Sequence, residues 1–330
     1  MSESVAPWLR EYRGKTVVVT GASGFLGGRL VARLAGTACT IVRVSRKAQW
    51  ALPASPATIR DETGDVGDRV FWDRLITGAD LIMHLAAQTS ATAADADPGA
   101  DVAANIHPLR HVIDACRQQR HLPAILFAGT VTQTGVPSKW PVDEDAPDHP
   151  VTVYDRHKLM AERELKEAVS RGWARGATLR LANVYGPGSP GSSQDRDVLN
   201  RMIRTALRGD PLTVYGPGDW LRDYLFVDDA VDAFLMAGLR PDQVSGRHYV
   251  VGSGAGISLR HAFELVAARV AAATGRHVPV VTDDSPRTAA MIEQRHFVAD
   301  SRRLAADAGW RPRWALADGI DHTIKAYLCA

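Results

Sequence analysis

Cysteine is scarce in this chain: Cys39, Cys116 and Cys329 lie scattered among 330 residues. Their spacing fits neither a disulfide framework nor a metal site, so a reducing, cytoplasmic setting and no metal centre are expected. Charge of one sign is not in excess either, with 39 Lys and Arg against 37 Asp and Glu. A nucleic-acid binder usually carries a concentrated basic stripe, which makes that class of partner unexpected. Long hydrophobic runs are missing: residues 17–20 and 81–87 fall far short of the ~20 residues of a membrane helix. Residues 1–14 lack the apolar core of a secretory signal. No internal repeat or low-complexity segment stands out. What is left is a chain able to bury a full core, fitting one large α/β domain or one and a half.

What is present is an alternation. Residues 16–20, 25–35, 40–44, the turn at 64–67, 71–77, 79–86, a helix over 101–120 and 124–128 follow one another as short apolar runs and helical patterns. Strand, helix, strand at these spacings predicts an α/β fold with a doubly wound parallel sheet of Rossmann type. The continuous Val, Ile and Leu character of the strands suits a sheet covered on both faces. A helix carrying Tyr154 runs to about Ser170, and residues 177–183 read as a further strand. Beyond them Gly and Pro punctuate shorter segments. The chain is therefore expected to divide into a dinucleotide-binding domain, 1–183, and a smaller mixed substrate-binding lobe, 184–330, interleaved with the sheet.

The strand at 15–20 opens into Gly21-Ala-Ser23-Gly24-Phe25-Leu26-Gly27. The first glycine permits a tight strand-to-helix turn, and the later ones let a pyrophosphate approach backbone and helix closely. The helix N-terminus then offers N–H donors and a favourable dipole to the anion. An NAD site usually ends its second strand with an acidic residue that bonds the ribose 2′-hydroxyl. Here that place holds Ser45, followed by Arg46 and Lys47, which suits a 2′-phosphate and predicts NADP(H) over NAD(H). Tyr154 and Lys158 are four residues apart and share a helix face. A nearby ammonium, together with the positive nicotinamide of an oxidised cofactor, favours phenolate, so the tyrosine pKa is expected to fall and let it exchange a proton during hydride transfer.

Taken together, the motifs resemble those of the extended short-chain dehydrogenase/reductases that modify nucleotide sugars. The resemblance rests on Gly21-x-x-Gly24-x-x-Gly27, Gly64-Asp65-Val66, His84-Leu85-Ala86-Ala87 and Tyr154-x-x-x-Lys158. It continues through Arg180-Leu-Ala-Asn183-Val-Tyr-Gly, Arg222-Asp-Tyr-Leu-Phe-Val-Asp-Asp229 and the stretch from Ala299-Asp300 to Pro312. It implies that Asp65 and Val66 flank an adenine and that Leu85, Ala86 and Ala87 line the cofactor cleft. Asn183, Arg222 and Arg295 would meet a nucleotide-sugar diphosphate, with Arg287 competing for the last place. Val214 and Tyr215 would grip the base, and Gln88 would line the sugar pocket. A homodimer through the helices over 101–120 and 152–170 is implied by the same likeness.

The chain also departs from that pattern. The serines that normally close the strand at 124–130 are replaced by Ala128 and Gly129, leaving Thr130 to bond the reacting oxygen, and Gln133-Thr134-Gly135 follows. The 4,6-dehydratases carry Asp-Glu after the catalytic hydroxyl, whereas this chain has Val131 and Thr132. Elimination and decarboxylation by those routes are thus unexpected. The expectation is NADPH-dependent reduction of a nucleotide-linked 4-keto-deoxysugar, with Tyr154 as proton donor, Lys158 holding the cofactor ribose and Thr130 orienting the carbonyl. The alternatives are a 4-epimerase that oxidises and re-reduces one carbon, and a non-catalytic NADP-binding regulator. The pocket that selects the sugar is expected in the loops 88–94, 133–140 and 189–196.

Overall fold

Aliphatic strands separated by amphipathic helices assemble as the periodicity predicts, into one parallel sheet with helices on both faces. The computed structural model describes residues 6–46, 51–119, 121–188, 198–283 and 294–329. Strands β1 (Thr16–Thr20), β2 (Thr40–Ser45), β3 (Thr58–Thr63), β4 (Leu81–His84), β5 (Ala124–Thr130) and β6 (Arg175–Leu181) alternate with helices. These are α1 (Phe25–Ala35), α2 (Arg69–Leu75), α3 (Ala91–Ala96), α4 (Pro98–Asn105), α5 (His107–Cys116) and α6 (Val153–Ser170). Then come β7 (Asn183–Tyr185), α7 (Val198–Arg208), β8 (Leu212–Tyr215), β9 (Leu221–Phe226), α8 (Val227–Gly238) and α9 (Pro241–Val244). The chain closes with β10 (His248–Val251), β11 (Gly256–Ser258), α10 (Leu259–Thr274), β12 (Val280–Asp283), α11 (Arg302–Ala308) and α12 (Leu316–Leu328).

Seven strands pair in the order β10-β6-β5-β4-β1-β2-β3, every pair parallel. Alternation along a strand sends Val17 and Val19 into one apolar core and Val18 into the other. The first core is closed by α1 and α8, the second by α2, α5 and α6. Strand order reverses between β1 and β4, where Thr20 lies opposite His84. In open parallel sheets that reversal leaves a crevice at the carboxyl ends of the strands, where ligands bind. The remaining strands form two small sheets, β11-β9-β7 and β12-β8, which α7, α10 and α12 enclose around a third core. β10 and α8 come from beyond residue 183, yet β10 extends the main sheet and α8 ion-pairs with α1 through Arg29–Asp228 and Arg33–Asp232.

Two features differ from the sequence reading. The helix expected over 101–120 is broken between Asn105 and His107, because Pro108 has no N–H to continue the ladder and instead opens α5. Strand β3 is not legible in the sequence: Thr-Ile-Arg-Asp-Glu-Thr is an edge strand, mostly exposed, and carries no apolar alternation. No helix among the described residues is long and apolar enough to cross a membrane.

Candidate active site

The glycine loop leaves β1 at its carboxyl end and is shaped for close approach. Gly21 has φ +66, and a Cβ there would lie 2.9 Å from the Ala86 nitrogen. A Cβ on Gly27 would fall 2.2 Å from the Gly21 carbonyl oxygen, so the first turn of α1 packs directly on the loop. Gly24 caps α1 without a side chain, leaving the opening N–H groups of that helix uncovered by any cap. Thr20 ties the two walls of the crevice together. Its buried Oγ1 accepts Leu85 N–H and Ala86 N–H, both at 3.1 Å, and lies 3.0 Å from His84 Nδ1. Ser23 sits in the turn, while Phe25 and Leu26 pack partly against the lobe's core. This cradle fits a dinucleotide pyrophosphate.

At the far end of the crevice, β2 ends with Ser45 buried and Arg46 exposed; Lys47 lies outside the described residues. Asp65 is exposed and accepts Gly67 N–H at 2.8 Å, and the Val66 carbonyl accepts Trp72 Nε1 at 2.8 Å. These bonds fix the turn that the resemblance assigns to adenine.

Tyr154 and Lys158 sit in the first turns of α6. Thr152 and Asp155 open that helix with a reciprocal capping box: Thr152 Oγ1 accepts Asp155 N–H at 3.1 Å and Asp155 Oδ2 accepts Thr152 N–H at 3.2 Å. Lys158 is buried; its Nζ donates to the Ala128 carbonyl at 3.1 Å and lies 4.6 Å from the centroid of the Phe127 ring. Burial brings Lys158 down to about 8, with Asp101 offsetting part of that. The expected lowering of the tyrosine pKa involves a cofactor charge as well as Lys158, and the protein's own groups act the other way. Burial, then the charges of Asp155 and Asp101, hold the Tyr154 phenol well above its ordinary value. Lys158 Nζ is 6.0 Å from the Tyr154 ring centroid, too far to overcome desolvation. The phenol therefore keeps its proton and can donate it.

Thr130 closes β5, and the residues around it account for the departures from the serine pattern. A Cβ on Gly129 would meet the Thr178 methyl at 2.6 Å and Gln133 Oε1 at 2.9 Å. Gln133 itself is fully buried: Oε1 accepts Thr130 N–H at 2.9 Å and Nε2 donates to Glu162 at 2.9 Å. Glu162 in turn receives Arg180 through Nε at 2.8 Å and Nη2 at 2.7 Å, and Arg180 reaches Asp148 at 2.6 Å. This buried network, not visible as a motif, clamps the turn after β5 onto α6. Burial alone would raise Glu162, but Arg180, His248 and Lys166 bring it down to about 2. Because that lies below the ordinary Glu value of about 4.3, the stabilisation is complete above that pH and is lost as pH falls toward 2. The unfolding midpoint is expected to drop across that window. In Glu162→Gln the drop should be smaller and the midpoint at pH 7 lower, since Arg180 loses its buried partner at a cost of about 3–5 kcal/mol.

Two further residues that the sequence reading does not single out join this site. Asp101 of α4 is buried, lies 2.7 Å from His157 Nδ1, and accepts Asn105 Nδ2 at 2.9 Å and Gln88 Nε2 at 2.8 Å. The Gln88 amide, expected on the sugar, thus also braces the wall behind Tyr154. Asp155 is the second, and its other oxygen accepts the Thr132 hydroxyl. The sequence gives little signal of either: Asp101 stands between Ala100 and Val102, and Asp155 between Tyr154 and Arg156.

On the lobe side Arg222 and Arg295 come together, with Arg222 Nη1 donating to the Arg295 carbonyl at 2.6 Å. Arg295 is 5% exposed, and its Nε and Nη1 have no hydrogen-bond partner among the described residues. Its guanidinium carbon lies 5.7 Å from the Phe297 ring centroid, and burial with the Arg222 charge lowers its pKa to about 10. Asp155 acts on Arg295 electrostatically, which places this pair beside the start of α6. Asn183 Nδ2 donates to the Asp223 carbonyl at 3.1 Å. Tyr215 is 42% exposed, whereas the Val214 side chain is buried in the lobe core and its backbone lies in the ladder of β8 with β12. Arg287 and the loop 189–196 lie outside the described residues, whereas Trp140 of the loop 133–140 stacks on His296 at 4.7 Å, next to Arg295. No cluster of metal-ligating side chains occurs among the described residues.

Residues 17–252 match the model of the NAD dependent epimerase/dehydratase family. A UDP-glucose 4-epimerase of Azospirillum brasilense is 27% identical over 319 residues, 92% of this chain and 89% of its own length. A dTDP-glucose 4,6-dehydratase of Streptomyces griseus is 27% identical over 323 residues, 94% of this chain and 93% of its own. Among solved structures, a complex of the Thermus thermophilus UDP-glucose 4-epimerase with NAD superposes with a TM-score of 0.78 at 26% identity, covering 96% of this chain and 99% of that one.

Proposed function

This chain belongs to the NAD dependent epimerase/dehydratase family, and from that premise we propose that it inverts one carbon of a nucleoside-diphosphate sugar, as a nucleotide-sugar 4-epimerase. One observation carries the substrate class: the buried guanidinium of Arg295, unpartnered at two nitrogens among the described residues and set beside Arg222. A planar fork of donors held out of water suits the oxygens of a diphosphate. The loop Gly21–Gly27, residues 85–87 and Lys158 would hold the cofactor, which when bound takes up and returns a hydride. Tyr154, as phenolate, would take the proton of the alcohol as the carbon is oxidised and return it to the carbonyl oxygen as the carbon is reduced again. Thr130 meets the same oxygen in its alcohol state. Val131 and Thr132 carry no carboxyl group, which speaks against elimination. Purified protein should interconvert UDP-glucose and UDP-galactose without consuming added cofactor.

Net reduction of a 4-keto sugar nucleotide is the second reading, favoured by the cofactor end of the crevice. Ser45 and Arg46 place a hydroxyl and a cation where a carboxylate would select NAD, and so support NADP(H). Stoichiometric loss of NADPH with a 4-keto sugar nucleotide, and no interconversion of hexoses, would replace the first reading by this one. Arg46→Asp is expected to weaken NADP+ at least tenfold and to strengthen NAD+, by loss of a charge-assisted phosphate contact. A ratio of the two dissociation constants that does not move removes Arg46 from cofactor selection. The division near residue 183 into cofactor domain and substrate lobe, and a homodimer through α5 and α6, belong to the same proposal and rest on the family likeness.

A further inference from the structure

We infer that Thr132 and Asp155 are positioning residues that turn Thr130 into a hydrogen-bond acceptor toward the substrate hydroxyl, an inference that rests on the nucleotide-sugar reading above. The supply of protons decides the direction. Asp155 is buried, and its Oδ2 accepts Thr152 N–H at 3.2 Å as part of the helix cap. Its Oδ1 is not needed for the cap and accepts the Thr132 hydroxyl. An ionised carboxylate has nothing to give back, so the single proton of Thr132 is committed to it. The 2.9 Å contact between the Thr130 and Thr132 hydroxyl oxygens must then use the proton of Thr130. Thr130 Oγ1 also receives Thr132 N–H at 3.3 Å. A hydroxyl has one donor and two acceptor sites. Thr130 is left with one lone pair and no proton.

Such a hydroxyl receives a bond from an alcohol and offers none to a ketone. Tyr154 is its complement, since burial and the nearby Asp155 and Asp101 charges keep its proton in place for a carbonyl oxygen. The hydrogen bond from the alcohol is received by Thr130 and that to the ketone is given by the protonated Tyr154, while oxidation of the alcohol passes its proton to the Tyr154 phenolate. That division suits a site that passes through a ketone and returns from it.

The test compares UDP-glucose with UDP-4-deoxy-4-fluoro-glucose, whose fluorine accepts weakly and cannot donate, by calorimetry on the full chain. A Tyr154→Phe background prevents turnover. The hydroxyl ligand should bind about tenfold more tightly, the worth of one bond in a charge-terminated chain. Adding Thr132→Val frees the Thr130 proton and should bring the two affinities together, and Thr132→Ser should restore the difference. Asp155→Asn must keep its oxygen on Thr152 N–H to preserve the cap, so its amide N–H donates into Thr132. The chain then runs the other way, and the preference for the hydroxyl ligand should disappear or invert. A difference that survives both Thr132→Val and Asp155→Asn overturns the inference while leaving the nucleotide-sugar reading standing. Failure of UDP-glucose to bind at all removes that reading, and the role of Thr130 with it.

Discussion

Replacing Tyr154 by Phe is expected to lower kcat by about 10²–10⁴-fold while leaving NAD(P) affinity and the unfolding midpoint nearly unchanged. The size follows from what is removed. In the proposed mechanism Tyr154 carries the proton exchanged with the reacting oxygen, and burial with the charges of Asp155 and Asp101 holds its phenol above the ordinary value. Phe retains the ring that packs near Lys158, whose Nζ stays bonded to the Ala128 carbonyl. Turnover measured by interconversion, and cofactor affinity by nicotinamide fluorescence, separate the two effects. Turnover within a factor of two of wild type would refute the assigned role.

Arg295→Met should act in opposite directions on binding and on stability. Diphosphate affinity is expected to fall by about 30- to 3,000-fold, the range for truncating one partner of a buried, hydrogen-bonded charge pair. The unfolding midpoint without ligand should rise. An isolated buried cation costs several kcal/mol of desolvation, and two of the Arg295 nitrogens recover none of it from hydrogen bonds among the described residues. The contact with the Phe297 ring returns only about 0.5–2 kcal/mol of that. Stability given up at a binding site is the usual trade for affinity. Calorimetry with UDP and a thermal scan read both quantities. Unchanged UDP affinity would remove Arg295 from the diphosphate site, and a lowered midpoint would show that its charge is compensated in the free protein.

The two substitutions test residues that are legible to different degrees. Spacing alone puts Tyr154 and Lys158 on one helix face, because four residues on a helix always share a face, and the resemblance gives the pair its role. The glycine loop is legible for the same reason: Gly21 must take φ +66, and only glycine does so without strain. Arg295 is harder, since Arg287 competes with it in the sequence and neither spacing nor neighbours rank the two. Burial beside Arg222, a long-range fact, is what brings Arg295 forward, while Arg287 lies outside the described residues.

Other readings fail for identifiable reasons. Strand β3 is written in polar residues because it lies at a sheet edge, where one side needs no apolar partner. Gln133 looks like a lost substrate motif, yet it is a buried bridge between Thr130 and Glu162. In the protein alone the Tyr154 phenol is held above its ordinary value, because desolvation, which the sequence does not display, outweighs the charge four residues away.

Local rules therefore determined the parallel sheet, the pyrophosphate cradle and the pairing of Tyr154 with Lys158, all of which depend on periodicity or on the conformations a residue permits. The tertiary structure alone decided which protons are available at the site. Asp155, Thr132 and Thr130 are brought into one chain by the docking of α6 against the end of β5, and Arg295 is stripped of water by the lobe. Hydrogen-bond direction and desolvation depend on what surrounds a group, and its neighbours in space are set only when the whole chain has folded.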